Sequence, residues 1–192
     1  DFDALVARLR ATNPESPLVF NCHAGRGRTT TGMVVGQLFR GVQAPAPSGA
    51  PQGTNRFEQG NFKAVLGLIG QLQGGPESKA ALDAVIDQSG EVQNLRTAIA
   101  KLKDKSETAP QRAVAEESLS AGKDYLYRYY KLIAFENYLK EMSPQGFPQD
   151  FSSWICQHPE LDVSPDSLEL AFNYVTGSGE VGRSWRGGEA FA

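Results

Sequence analysis

Cys22 and Arg28 stand six positions apart, with Gly25 and Gly27 between them and the hydroxyl of Thr29 directly after. A cysteine at that distance from an arginine is common by chance. The glycine at 25 and the hydroxyl at 29 make the coincidence roughly a hundredfold rarer. The spacing has a chemical use. A phosphate dianion needs several donors converging from one side, and a tight loop entering a helix aims consecutive backbone N–H groups at one point. Gly25 and Gly27 allow backbone angles that a side chain resists, and they let the chain approach a ligand closely. Arg28 offers a planar fork to two phosphate oxygens. Cys22, facing the centre of such a nest, is favoured as thiolate by the same dipoles and cations, which makes it a nucleophile. Thr29 is spaced to donate its hydroxyl to the sulfur. The stretch therefore reads as a phosphate-binding loop with Cys22, Arg28 and Thr29 as catalytic residues. His23, Ala24, Gly25, Arg26, Gly27 and Arg28 are its phosphate-binding residues. A buried cysteine beside a glycine turn is the plainer alternative.

A loop of this kind needs a strand to deliver the cysteine and a helix to receive the arginine. Leu18-Val19-Phe20 is a short apolar run that reads as a buried strand. Thr29 to Phe39 reads as a helix with Met33, Val34, Val35 and Leu38 turned inward. Before them, Phe2, Leu5, Val6 and Leu9 form a helical stripe that the prolines at 14 and 17 stop. Residues 42–60 are rich in Pro, Gly, Gln and Ser and read as a linker or insertion. Beyond them the pattern is helical. Phe62, Val65, Leu66, Ile69 and Leu72 make one stripe, Leu82, Val85 and Ile86 a second, and Val92, Leu95, Ile99 and Leu102 a third. Asp124 to Met142 carries Tyr125, Tyr129, Leu132, Phe135 and Leu139 on one side, which reads as core. Two short helices are expected at Phe151 to His158 and Ser167 to Tyr174, then a weakly structured tail.

The fold class expected is thus α/β at the loop (strand, loop, helix) with a predominantly α-helical C-terminal part. The organisation expected is a catalytic-domain piece at 1–41, a linker at 42–60, a helical region at 61–176 and a tail at 177–192. The chain opens Asp1-Phe2-Asp3-Ala4 without Met and already in helical rhythm, which suggests a piece of a longer protein.

Composition narrows the partners. The formal net charge is −3 over 192 residues, so the basic excess of a nucleic-acid binder is missing and anion recognition must be local. No apolar run approaches the ~20 residues that span a bilayer. Cys22 and Cys156 are too few for a disulfide framework and read as free thiols of a reducing, cytoplasmic compartment. Cys156, within Phe151-Ser152-Ser153-Trp154-Ile155-Cys156, reads as core. His158 has no partner at metal-ligand spacing and reads as a surface or capping residue. The run Lys101-Leu102-Lys103-Asp104-Lys105 reads as a solvated helix end. No metal and no cofactor are expected.

The loop resembles that of the protein tyrosine phosphatase superfamily, whose signature is HCxxGxxR followed by Ser or Thr. Val19-Phe20-Asn21-Cys22 with Gly25-Arg26-Gly27-Arg28-Thr29-Thr30-Thr31 is similar to the paladin-like branch in particular. The resemblance continues through Lys79 with Asp83 and Asp87, Asn94-Leu95-Arg96, Tyr129 to Ile133, and Phe151 to Leu161 with Trp154. It implies a cysteine-phosphatase fold within a multidomain, cytosolic protein and a phosphocysteine mechanism. It also implies a phosphorylated substrate: an inositol phosphate, a phosphoinositide met by peripheral membrane contact, or a phosphoprotein. His23 and Arg26 stand where lipid phosphatases place basic residues, and extra positive charge suits a polyphosphorylated ring.

Two departures weigh against full activity. Position 21 is Asn where the signature has His. The family's general acid is an Asp upstream of the cysteine, and Asp1 and Asp3 are the only upstream aspartates here. Loss of such an acid costs about a hundred- to ten-thousandfold in rate. Two functions follow: a cysteine-dependent phosphatase whose acid lies outside this chain, or a weak or inactive pseudophosphatase that binds phosphate as a scaffold.

Overall fold

The structure is a computed structural model that describes residues 2–25, 27–42, 51–161, 163 and 168. It is a helical assembly. Helix α1 (Phe2–Ala11) leads through turns at 14–16 and an extended stretch to α2 (Gly27–Gly41). Then come α3 (Lys63–Gln71), α4 (Gly75–Gln88), the short α5 (Gly90–Gln93), α6 (Leu95–Thr108), α7 (Arg112–Met142) and α8 (Phe151–Cys156). Single 3₁₀ turns lie at Ser143–Gln145 and Pro159–Leu161.

The expected strand at Leu18 to Phe20 is corrected. The segment is extended, but no strand occurs among the described residues. A strand exists by hydrogen-bonding to a neighbour, and no described segment pairs with this one. Its period of two is nevertheless kept. Phe20 lies so close over α2 that a β-carbon on Gly32 would meet its ring at 2.7 Å and one on Gly36 at 2.8 Å. Leu18 reaches the same point on Gly36 at 3.3 Å, whereas Val19 between them is 88% exposed. Two glycines one helical turn apart therefore let the segment before Cys22 press directly onto α2.

The central post is α7. Its buried face includes Leu126, Tyr129, Leu132, Ile133, Phe135, Tyr138, Leu139 and Met142, so of the side expected from sequence Tyr129, Leu132, Phe135 and Leu139 are core and Tyr125 is half-buried against it. The helix starts twelve residues before the expected Asp124, at Arg112. That first part buries only Ser118 and Gly122 and lacks the apolar stripe by which a buried helix is recognised. Phe2 stacks on Phe135 at 4.8 Å and meets Phe151 edge-on at 5.3 Å, joining α1, α7 and α8 in one aromatic cluster. Asp3 adds a polar tie, accepting from Phe151 N at 2.8 Å, from Ser152 N at 3.3 Å and from the Ser152 hydroxyl. Through this junction the C-terminal helices fix where α1 releases the chain toward the loop.

Other expectations shift for readable reasons. Residues 90–102 do not form one helix, because Asn94 breaks it and caps α6 by accepting from Thr97 N at 3.1 Å. Val92 is consequently 42% exposed, and Leu66 on α3 is 39% exposed. Cys156 is exposed, not core. On α8 the buried positions are Phe151 and Trp154, and Cys156 lies two residues past Trp154, about 200° around the helix. Lys103 is buried in the stretch expected to be solvated. It pairs with Glu107 at 2.9 Å and sits 4.6 Å over the Phe57 ring. His158 is half-buried, 3.0 Å from Glu160 and 4.4 Å from the Trp154 ring. The expected helix at Ser167 to Tyr174 falls, but for the buried Leu168, outside the described residues, as does the tail at 177–192.

A neutral set of four charges, Lys79, Asp83 and Arg96 buried and Asp87 partly so, joins the 51–62 loop to the helices. Lys79 pairs with Asp83 at 2.6 Å and donates to Gln59 O at 2.8 Å. Arg96, fully buried, pairs with Asp83 at 3.2 Å and with Asp87. Tyr129 donates to Asp83 at 2.6 Å. Burial first, and the Asp83 charge second, push that phenol well above its ordinary range, so it stays a donor.

Glu136 on α7 is buried beside Lys140 at 3.0 Å. Burial raises its carboxyl above the usual value near 4.5, opposed by Ser78 and Lys140. The folded state thus holds this proton more tightly than the unfolded one. The stability tied to it is fully present below the unfolded pKa and is lost as pH rises through the raised value. Glu136→Gln removes that dependence. We expect its melting midpoint, relative to the parent, to be higher at pH 8 than at pH 4. The same offset at both pH values would refute the assignment.

Candidate active site

The chain from Cys22 to Gly25 turns back on itself, with Gly25 N donating to Cys22 O at 3.2 Å. Gly25 has φ +64°, a left-handed conformation that side chains disfavour, and this is the position at which a glycine is needed. Helix α2 begins at Gly27, two residues earlier than expected, so Arg28 and Thr29 lie in its first turn. Thr29 is buried and donates its hydroxyl to Cys22 Sγ at 3.2 Å. Cys22 is half-buried, and Asn21, His23, Ala24, Gly25 and Arg28 are exposed. Arg26 lies outside the described residues.

The first turn of α2 contains no acidic residue, so the positive end of the helix has no local counter-charge from its own sequence. The backbone N–H groups of that turn have no intrahelical acceptor. Thiol sulfur and buried hydroxyl thus meet at the N-terminal end of α2, whose first turn also carries the exposed Arg28. Thr31 closes the turn from the side by donating to Gly27 O at 2.8 Å.

Residues 1–40 match the family model described as PTP-like phytase, inositol hexakisphosphate. Paladin from Gallus gallus is 32% identical over 83% of this chain, and paladin from Homo sapiens is 30% identical over 88%. The chain is a paladin-like member of the protein tyrosine phosphatase superfamily. It spans about a fifth of the length of those relatives, 20% of the first and 22% of the second. No solved structure matches it.

The paladin-like chain brings together some expected features and separates others. Cys22 and Thr29 touch. Asp3, an upstream aspartate that could have served as acid, is instead spent on the N-terminus of α8. Asp1 is outside the described residues. Cys156 and His158 lie together near the end of α8 and make no contact with Cys22 among those the structure records. Among the described residues no group of three metal-ligating side chains occurs, and no helix is long and apolar enough to cross a membrane. A cleft of about 610 Å³ exists elsewhere, between Leu18, Phe20, α2, α4 and α7, and neither Cys22 nor Arg28 lines it.

Sequence reasoning missed two side chains that reach the loop from downstream helices, Gln93 on α5 and Arg128 on α7. A lone glutamine and one arginine on a long helix carry no local signature. Their signal is tertiary: both approach Gly27.

Proposed function

We propose that this paladin-like chain carries the nucleophilic loop of a cysteine-dependent phosphatase acting on a phosphoester. The observation that carries the reading is the 3.2 Å contact from the Thr29 hydroxyl to Cys22 Sγ at the N-terminus of α2. A hydroxyl donated to sulfur, together with a helix N-terminus, favours the thiolate. In the proposed reaction the thiolate forms an S–P bond as the ester P–O bond breaks, and the leaving oxygen takes a proton from a general acid. Water then cleaves the S–P bond, releasing inorganic phosphate and restoring the thiolate. Arg28 holds two phosphoryl oxygens through both steps. Asp3 is committed to α8 and is not offered as that acid. An inositol phosphate or phosphoinositide is the substrate class we favour, because the sequence sets the basic residue types His23 and Arg26 within the motif, which suits a polyphosphorylated ring.

A second reading, a phosphate-binding pseudophosphatase, is favoured by Asn21 at the position of the signature histidine and by the engagement of Asp3.

Alkylation by iodoacetamide tests the activated thiol. Cys156 is exposed and Cys22 only half so, and access alone would make Cys156 react first. With the thiolate stabilised, Cys22 reacts about tenfold faster at pH 6.5, where a free thiol near pKa ~8.5 is almost all protonated. Vanadate at millimolar concentration protects Cys22 and leaves Cys156 unaffected. Reaction in the order of exposure, without protection, would overturn both readings of the loop.

A further inference from the structure

Arg128 lies in the middle of α7, far in sequence from the loop, yet its Nη1 would stand 3.1 Å from a β-carbon on Gly27. Its guanidinium rests 5.1 Å over the Tyr125 ring. Gln93 donates to Tyr125 Oη at 3.5 Å, and its Oε1 stands 3.9 Å from that same point on Gly27. Gln93 and Arg128 thus approach the first turn of the helix that carries Arg28 and Thr29, and Tyr125 supports both.

The placement is electrostatically unfavourable for the protein alone. A cation is disfavoured at a helix N-terminus, where the dipole is positive. Arg28 adds a second guanidinium in the same turn, and that turn has no acidic residue. Among the described residues no carboxylate pairs with Arg128. The buried cations have carboxylates: Lys79 has Asp83, Arg96 has Asp83 and Asp87, and Lys103 has Glu107. Half-buried Arg128 has none among the described residues, and its guanidinium stands beside Gly27.

We propose that Arg128 is a specificity-determining residue of the phosphate loop, contacting a second anionic group on a substrate whose first phosphate occupies the loop. The inference rests on the phosphate-binding reading of Cys22 to Thr29. One phosphate is served by the loop amides and Arg28, so a further guanidinium held by an aromatic face matters only for a ligand carrying more charge nearby. The ligand class is therefore a polyphosphorylated alcohol in preference to a lone phosphomonoester. Gly27 fits the same account, since a side chain there would crowd the Arg128 guanidinium.

Binding to the full-length protein tests this with two probes, inorganic phosphate and inositol hexakisphosphate, by calorimetry at fixed ionic strength. Arg128→Ala lowers affinity for the hexakisphosphate about tenfold, the loss expected for a charge-assisted contact, and changes affinity for inorganic phosphate less than twofold. Arg128→Lys, which keeps the charge and loses the fork, falls between. Vanadate protection of Cys22 stays unchanged in both. An equal loss for both probes would mean that Arg128 only shapes the loop, and no loss for either would mean that it does not face the ligand. Either result overturns the inference and leaves the loop standing. Failure of the parent protein to bind either probe would overturn the loop reading, and the inference with it.

Discussion

Cys22→Ser removes turnover of p-nitrophenyl phosphate, with kcat/KM falling by at least about 10⁴-fold, the scale seen when a covalent nucleophile is lost. Serine keeps a hydroxyl partner for Thr29 but is a far weaker nucleophile, because it is not ionised near neutrality. Binding is expected to persist, since the amides of the α2 N-terminus and Arg28 are untouched. The leaving group makes the test decisive. Nitrophenolate departs without protonation, so the engagement of Asp3 in the α1–α8 tie cannot explain a failure. Parent protein that binds vanadate yet does not cleave this ester would be the phosphate-binding scaffold, and the enzyme reading would be lost. Parent protein that cleaves it readily but is slow on alkyl phosphates would show an intact nucleophile working without its acid.

Asp83→Ala lowers stability by about 3–5 kcal/mol, the cost of breaking a buried pair from one side. Asp83 accepts from Lys79 and Tyr129, each at 2.6 Å, and pairs with Arg96 at 3.2 Å. Without it, Lys79 loses its carboxylate partner and Arg96 keeps only Asp87, and the tie from α4 to the 51–62 loop through Lys79 and Gln59 loses its anchor. For a chain of this size the melting midpoint falls roughly 10 °C. Tyr129→Phe supplies a milder companion. It deletes one donor to Asp83 and costs about 1–3 kcal/mol. Midpoints within 1 °C of the parent for both variants would show that the network is not a stabilising element.

Local chemistry was legible in the sequence because its parts are adjacent. The loop from Cys22 to Thr29 needs only short-range geometry. Spacing alone foretold that the Thr29 hydroxyl meets the Cys22 sulfur and that a helix begins at the loop. Helical stripes on α1, α4 and α7 were legible too, since a 3.6-residue period records which side of a helix is buried. Lys79, Asp83 and Asp87 entered only through the family resemblance, and that Arg96 and Tyr129 converge on Asp83 was set by the packing of α6 and α7 on α4.

What the tertiary structure decided concerns pairing and position. Leu18 to Phe20 has the composition of a strand, but a strand needs a neighbour that no composition guarantees, and the segment lies extended on Gly32 and Gly36 instead. Asp3 could be read as a candidate acid until α1 met α8 and the carboxylate became a cap. Cys156 carried the composition of a core residue, and its turn around α8 put it outside. Arg128 lies 106 positions from Cys22 and has no motif of its own. Only the packing of α5 and α7 against α2 places its guanidinium at Gly27, because contacts between distant segments are fixed by how helices stack and not by any local pattern.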